Sequence, residues 1–333
     1  MKIDARIYVA GHRGLVGSAI VRRLQSAGHS NIITRTHADL DLTDQPAVRD
    51  FLASERPEYV FMAAARVGGI VANNSFPAEF IRQNLAIQIN VIDECWRSEV
   101  SRLIFLGSSC IYPRECPQPI KEEYLLTGPL ESTNRPYAVA KIAGIEQCWA
   151  YNRQYGTQYL AVMPTNLYGP GDHYDLSTSH VLPALIRKAH EAKIADSKEL
   201  VVWGTGTPRR EFLYVEDMAD ACLFLANLPE AEFRSLLGSE ASAPLINVGY
   251  GSDLTIRELA ELVARIVGFS GRVVFDSSKP DGTPRKWLDS NRILRMGWKP
   301  ATNFEEGIRK TYDDFMKIPA NDNSQIVERT SQS

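Results

Sequence analysis

Apolar positions fall into two rhythms along the first half of the chain. Arg6-Ile7-Tyr8-Val9-Ala10 is a short apolar run, which predicts a strand buried on both faces. Over residues 18–27 the apolar side chains Ala19, Ile20, Leu24 and Ala27 instead recur at helical spacing. The pairing then repeats. Strands are predicted at 31–36, 59–65, 102–107 and 159–163, and helices from near Gln45, over 76–99 and over 136–155. Pro77 and Pro136 suit first helical turns, where a missing N–H costs nothing. Strands alternating with helices predict a parallel sheet covered on both faces, a doubly wound α/β (Rossmann) fold.

The alternation stops near Pro170, and shorter elements follow. Ser179-His180-Val181 opens a helix running to about residue 193. A short strand is predicted at 201–204, and Arg209-Arg210-Glu211-Phe212 follows a Gly-Thr-Gly-Thr-Pro turn. A strand and helix over 213–228 are predicted to return to the sheet side. Strands at 246–248 and 273–276, helices at 255–267 and 304–316, and a loop at 279–286 complete the pattern. The expected organisation is a Rossmann domain over 1–170, with segments near 212–250 returning to it, and a smaller mixed α/β substrate lobe over 171–318. The polar, aperiodic stretch 319–333 reads as a disordered tail.

Composition narrows the class of protein. The 333 residues suffice for one large domain or two ordinary ones. A net charge of −3 supplies no basic field for nucleic acid or anionic lipid. No apolar run approaches the ~20 residues of a membrane helix. The chain begins directly on a strand pattern, so no signal peptide is expected. Five cysteines without C-x-x-C spacing argue against a disulfide framework or structural zinc, so no metal is expected and a reducing cytoplasm is the default.

Candidate chemistry starts at Gly11-His12-Arg13-Gly14-Leu15-Val16-Gly17, between the first strand and its helix. Glycines allow close backbone approach to a pyrophosphate, and a helix N-terminus offers free N–H groups. The spacing is G-x-x-G-x-x-G, and a ligand-free tight turn has the same pattern. An NAD-preferring site places a carboxylate near the end of the second strand to hold the ribose 2′-OH. This chain has Arg35 and His37 there, and Arg13 inside the turn, which predicts NADP(H) as cofactor. Asp44 reads as a helix cap. Asn73, Asn74 and Asn84 read as capping and loop hydrogen bonders.

Tyr137 and Lys141 are four residues apart on a predicted helix and therefore share a face. A lysine cation nearby favours the phenolate, so the spacing predicts a tyrosine that donates its proton readily to a carbonyl oxygen receiving hydride. Ser108 or Ser109, at the carboxyl end of the fourth strand, lies where an open α/β sheet binds ligands. Cys110, a lone cysteine at a strand end, reads as a small buried hydrophobe, and His180, opening a helix, reads as a cap or surface residue.

With these motifs in order, the chain resembles the extended short-chain dehydrogenase/reductases, and among them the GDP-L-fucose synthase family. The likeness runs from about Arg6 to Phe315. Ala10-Gly11-His12-Arg13-Gly14, Ala64-Ala65-Arg66-Val67-Gly68-Gly69-Ile70, Gly107-Ser108-Ser109-Cys110-Ile111-Tyr112-Pro113, Met163-Pro164-Thr165-Asn166-Leu167-Tyr168-Gly169-Pro170 and Lys279-Pro280-Asp281-Gly282-Thr283-Pro284-Arg285-Lys286 carry it.

The resemblance implies a GDP-sugar substrate and NADPH-dependent 3,5-epimerisation and 4-reduction of GDP-4-keto-6-deoxy-D-mannose. It implies Cys110 as base, His180 as acid, Ser108 and Tyr137 on the ketone oxygen, and Lys141 on the nicotinamide ribose. It adds Leu40, Asp41, Leu106, Gly107, Pro164, Asn166, Leu167 and His180 to the cofactor site. Lys188, Trp203, Arg210, Asp281 and Lys286 are placed at the nucleotide end of the substrate. His37 and Lys188 stand where relatives often carry arginine, which shifts the 2′-phosphate clamp towards Arg13 and Arg35 and removes one bidentate fork. A homodimer built on the helices over 76–99 and 136–155 is also implied. Other readings are an enzyme of the GDP-colitose type, a 4-epimerase that retains its cofactor, and a non-catalytic NADP(H)-binding regulator.

Overall fold

The computed structural model describes residues 1–176, 178–279 and 281–318, so the predicted tail lies outside the described residues. The first half runs β1 (Ile7–Ala10), α1 (Leu15–Ser26), β2 (Ile32–Ile33), α2 (Gln45–Glu55), β3 (Tyr59–Met62), α3 (Ile70–Ser75), α4 (Pro77–Arg97), β4 (Arg102–Leu106), α5 (Arg135–Tyr155) and β5 (Tyr159–Pro164). The second half runs β6 (Asn166–Tyr168), α6 (Val181–Ile194), β7 (Glu199–Trp203), β8 (Arg209–Tyr214), α7 (Val215–Asn227), α8 (Glu230–Arg234), β9 (Leu245–Val248), β10 (Asp253–Thr255), α9 (Ile256–Val267), β11 (Arg272–Asp276), β12 (Arg285–Lys286), α10 (Asn291–Arg295) and α11 (Phe304–Phe315).

Six parallel strands form the main sheet in the order β2-β1-β3-β4-β5-β9. Side chains leave a strand alternately to its two faces. Ile7, Val9, Ile104, Leu106, Leu160 and Val162 therefore pack in one core with α1 and α7. Tyr8, Ala10, Leu103, Phe105, Tyr159 and Ala161 pack in the other with α2, α4 and α5. Burial on both faces explains why these strands read as unbroken apolar runs. The chain reverses its direction of travel across the sheet between β1 and β3, and a ligand crevice lies beyond the carboxyl ends of strands at such a point.

A third core joins α6, α9 and α11 to the smaller sheets. There β8 runs between β10 and β12, and β6 extends it. β7 pairs with β11.

Four local expectations change. The second strand keeps only two residues, because Asp39 accepts the Thr36 N–H and hydroxyl and turns the chain. Of the strand expected at 213–217, only Leu213 and Tyr214 are strand, as the end of β8 in the smaller sheet, while β9 takes the edge of the main one. α7 starts at Val215 and packs on α1, tied by Arg22–Glu216 and Arg23–Asp220 ion pairs. The loop at 279–286 ends in a strand, β12, held parallel to β8 by Arg285 opposite Arg209 and Lys286 opposite Arg210.

Candidate active site

Gly11 follows β1 with φ of 79°, a left-handed conformation that disfavours any side chain. A Cβ on Gly11 would stand 2.7 Å from the Ala64 nitrogen, so the turn lies flat against the chain leaving β3. A Cβ on Gly17 would stand 2.0 Å from the Gly11 oxygen, which lets α1 close onto the turn. Gly14 is the N-cap of α1 and no side chain caps that helix, leaving first-turn N–H groups for an anion. Leu15 and Val16 pack against the core beneath, and Arg13 is exposed beside the turn. Burial, then the charge of Arg13, press the His12 pKa below its ordinary value. This surface fits the diphosphate of a dinucleotide.

The cations expected for a 2′-phosphate are not equally available. Arg35 forms an ion pair with Glu55 and lies 5.1 Å from the centre of the Phe51 ring. His37 is exposed, with its Nδ1 3.9 Å from Asp41. Asp41 also accepts the Thr43 N–H and hydroxyl at 2.8 Å each, and Leu40 is buried beneath.

At the end of β4, Gly107 leads into Ser108, which caps a short 3₁₀ turn over Ser109–Ile111. Ser108 Oγ accepts the Cys110 N–H at 3.3 Å and hydrogen-bonds the Tyr137 hydroxyl. Ser109 is buried, so of the two serines Ser108 is the one on the tyrosine. Tyr137 does not have the acidified phenol expected from its spacing. Burial raises its pKa first, and Cys110 adds to the rise, against the Ser108 hydrogen bond. The Lys141 ammonium instead donates to the Leu106 carbonyl at 2.7 Å, and burial pulls its pKa down to about 7. Sequence spacing sees the shared helix face but not the desolvation, which here decides the sign.

Cys110 Sγ receives the Asn134 side-chain N–H at 3.2 Å and lies 3.7 Å from Lys286 Nζ. Lys286, expected at the nucleotide end of the substrate, thus stands at Cys110. It also acts on His180, the N-cap residue of α6, whose ring does not cap the helix. Desolvation, then the charges of Lys286 and His173, press the His180 pKa below the ordinary imidazole value. Because the residue as a whole is exposed, the two neighbouring charges are the firmer cause. The Gly69 N–H donates to the Thr178 carbonyl at 3.1 Å, which brings the loop after β3 against the His180 segment. Asn73 and Asn84 hold that loop from beneath through bonds to Gly68, Gly69 and Arg66.

The remaining substrate candidates gather at the ends of β7 and β8. Trp203 is 64% exposed, which excludes a core role. The Lys188 and Lys279 ammonium groups lie 4.9 and 5.6 Å from its ring centre. Asp281 accepts the Thr205 N–H at 2.9 Å and its hydroxyl at 2.6 Å, and its charge reaches Arg210. Pro164 ends β5, and Asn166 and Leu167 begin β6, where Asn166 donates to the Glu211 carbonyl at 2.8 Å. Asn134, His173, Thr205 and Lys279 were not expected. Only Asn134, just before a predicted helix, carries a local signal, and that signal is for a cap.

Residues 7–235 match the NAD dependent epimerase/dehydratase family. The chain is 56% identical to the probable GDP-L-fucose synthase 1 of Oryza sativa subsp. japonica over 313 residues, 94% of this chain and 92% of that one. It is 53% identical to the GDP-L-fucose synthase of Escherichia coli (strain K12), over 94% of this chain and 97% of that one. A solved structure of MlghC, a GDP-mannoheptose C4 reductase from Campylobacter jejuni with NADP bound, aligns with a TM-score of 0.85 at 39% identity, covering 95% of this chain and 99% of that one. The chain belongs to the NAD dependent epimerase/dehydratase family, among its GDP-L-fucose synthases.

Proposed function

We propose that the chain converts GDP-4-keto-6-deoxy-D-mannose to GDP-L-fucose, epimerising C3 and C5 and then reducing C4 with NADPH. One observation carries the reading: Ser108 bonds both Tyr137 and the Cys110 N–H, Lys286 lies 3.7 Å from the Cys110 sulfur, and the charge of Lys286 acts on His180. Two acid/base groups and two hydroxyls in one cleft are what epimerisation beside a ketone requires. The ketone acidifies the protons on C3 and C5. Cys110 takes one of them, and the electron pair moves onto O4 as an enolate. The hydroxyls of Ser108 and Tyr137 stabilise that oxyanion. His180 returns a proton to the opposite face; its lowered pKa makes the imidazolium a stronger acid but a scarcer one at neutral pH.

Bound NADPH supplies the hydride for C4. The turn at Gly11–Gly17 would hold its diphosphate, with Arg13, Arg35 and His37 about its 2′-phosphate and Lys141 near the nicotinamide ribose. Tyr137, kept protonated by burial, retains the proton that O4 needs. Trp203, Lys188, Arg210 and Asp281 would receive the GDP. In this reading residues 1–170 form the cofactor lobe, with α7 and β9 returning to it, and 171–318 form most of the substrate lobe. The protein acts as a homodimer through α4 and α5, supported by the exposed apolar residues Phe76, Ile89, Val139 and Tyr155 on or beside those helices.

The test is one reaction in deuterium oxide with GDP-4-keto-6-deoxy-D-mannose and NADPH, read by NMR and mass spectrometry. Deuterium at C3 and C5 with hydrogen at C4 is expected. Deuterium at a single carbon would point to a sugar with one epimerisable centre. Reduction without deuterium would leave a plain ketoreductase.

A further inference from the structure

We propose that Asn134 and Lys286 are positioning residues for Cys110, holding its sulfur at the cleft and stabilising it in the unprotonated form that accepts a substrate proton. This rests on the reading of Cys110 as the base.

Asn134 is the first observation. It occupies the N-cap of α5, where asparagine is among the residues best suited to accept a backbone N–H. Its side chain makes no capping bond there. The amide instead donates to Cys110 Sγ at 3.2 Å. Its Oδ1 is buried and has no hydrogen-bond partner among the described residues. A helix start has been left uncapped, and a buried oxygen unpaired, by a side chain turned to the sulfur.

Lys286 is the second. Its ammonium is 3.7 Å from the same sulfur, and no carboxylate among the described residues forms an ion pair with it. A partly buried, unpaired cation is costly unless an anion comes to it. The strand that carries it is fixed on both sides. Arg285 binds Asp253, with Nη2 to Oδ1 at 3.2 Å. The Leu288 N–H donates to Glu211 Oε2 at 3.0 Å. Trp287 donates its N–H to Gln118 Oε1 at 3.0 Å and accepts the Ile120 N–H at 2.7 Å. Those last two bonds join the strand to the segment just downstream of Cys110, so the approach of ammonium to sulfur is built into the backbone.

The chemistry needs such neighbours. Hydrogen-bond donors and a cation beside a thiol favour its thiolate, which is the form that acts as base. In the step served, a C–H bond beside the ketone breaks, an S–H bond forms on Cys110, and the electron pair goes to O4. The same cation disfavours imidazolium at His180, so Lys286 acts on both members of the acid/base pair with opposite consequences.

The test reads the sulfur directly. Full-length wild type, Lys286→Met, Lys286→Gln, Lys286→Arg and Asn134→Ala would be treated with iodoacetamide across the neutral and alkaline range. Modification of the Cys110 peptide would be followed by mass spectrometry, with Cys110→Ser as the control for the other thiols. At neutral pH, alkylation should slow about 5–10-fold in Lys286→Met and Lys286→Gln and about 3-fold in Asn134→Ala. Lys286→Arg should recover most of the rate. Deuterium exchange into the keto-sugar should slow in the same order through kcat rather than KM. Wild-type alkylation in Lys286→Met, Lys286→Gln and Asn134→Ala would overturn the proposal. So would a rise in KM alone, which would assign Lys286 to the substrate diphosphate. Alkylation requires neither sugar nor NADPH, so failure of the epimerase reading would appear separately, as absent exchange with the alkylation effects intact.

Discussion

The Lys141 ammonium donates to the Leu106 carbonyl at 2.7 Å and lies 4.7 Å from the Phe105 ring centre, against 6.0 Å for that of Tyr137. Among the described residues one carbonyl accepts from this buried cation, and burying a charge so thinly compensated is costly. Its pKa is about 7 in the fold, against 10.5 for the free side chain. The native chain therefore binds fewer protons than the unfolded chain between those values, and stability rises with pH across that window. Lys141→Met should abolish reduction yet unfold at a higher temperature than wild type at neutral pH. The difference should shrink as pH climbs towards 10.5. Calorimetric scans over this range decide it: a lower Tm for Lys141→Met at neutral pH would remove the burial argument.

Glu211 points the other way. It is wholly buried in β8, accepting the Gly251 N–H at 2.8 Å and the Leu288 N–H at 3.0 Å. Burial nevertheless lifts its pKa from 4.5 to about 7. A raised carboxyl pKa means the fold binds the extra proton, so this contribution is complete below pH 4.5 and is lost as pH rises through about 7. Glu211→Gln should lose that decline. Urea midpoints at mildly acidic and mildly alkaline pH should fall between the two conditions by less in the variant than in wild type; parallel declines would mean that Glu211 is not the titrating group.

Both cases mark where reading the sequence stops. β1, the glycine turn and α1 were legible because neighbours in the chain make them: an apolar run, a left-handed glycine and a helical repeat. Tyr137 and Lys141 were legible as a pair because helix geometry alone aligns them. The direction of their pKa shifts was not, because desolvation comes from cores assembled from the whole domain. Asn134 carried a cap signal, but the sulfur it bonds is 24 residues away. Lys286 meets Cys110 across 176 residues, a meeting set by the join between β12 and the chain after Cys110. Arg35 was expected within the second strand but lies past the end of β2, and its partner Glu55 arrives with α2.

Trp203 offers a test of the nucleotide end that spares the fold. Its ring is largely exposed on β7, whose inward side chains are Leu200 and Val202. Removing it should leave Tm within about 1 °C, since surface substitutions usually change stability little. If the guanine stacks on it, Trp203→Ala should weaken GDP-sugar binding by about 1–3 kcal/mol, the scale of base–aromatic stacking. KM, or the Kd for GDP by calorimetry, should rise about 5–150-fold with NADPH affinity unchanged. Unchanged GDP affinity would take Trp203 out of the substrate site.

Gly17 tests the cofactor turn. A methyl group there would stand 2.0 Å from the Gly11 oxygen, a backbone atom that cannot swing aside as a side chain would. Gly17→Ala must push α1 away from the turn, and such overpacking costs about 1–3 kcal/mol. The first-turn N–H groups move with the helix, so NADPH affinity should fall together with Tm. A variant with lower Tm and intact NADPH affinity would mean that the phosphates are held elsewhere.

The proposed dimer makes its own demand on α4 and α5. These two helices pack against each other on one side of the sheet, yet Ile89 is 48% exposed on α4 and Val139 is 40% exposed on α5. Between the helix starts a shallow groove of about 330 Å³ is lined by Pro77, Ala78, Ile81, Arg135, Pro136 and Val139. A two-fold interface uses the same patch on both copies, so each apolar residue there counts twice. One charge per chain therefore places two like charges across the axis. Ile89→Arg with Val139→Arg should convert the dimer to monomer by light scattering. The thermal transition should persist, since neither residue belongs to the buried core. A dimer of unchanged mass in the double variant would show that the subunits meet through another face.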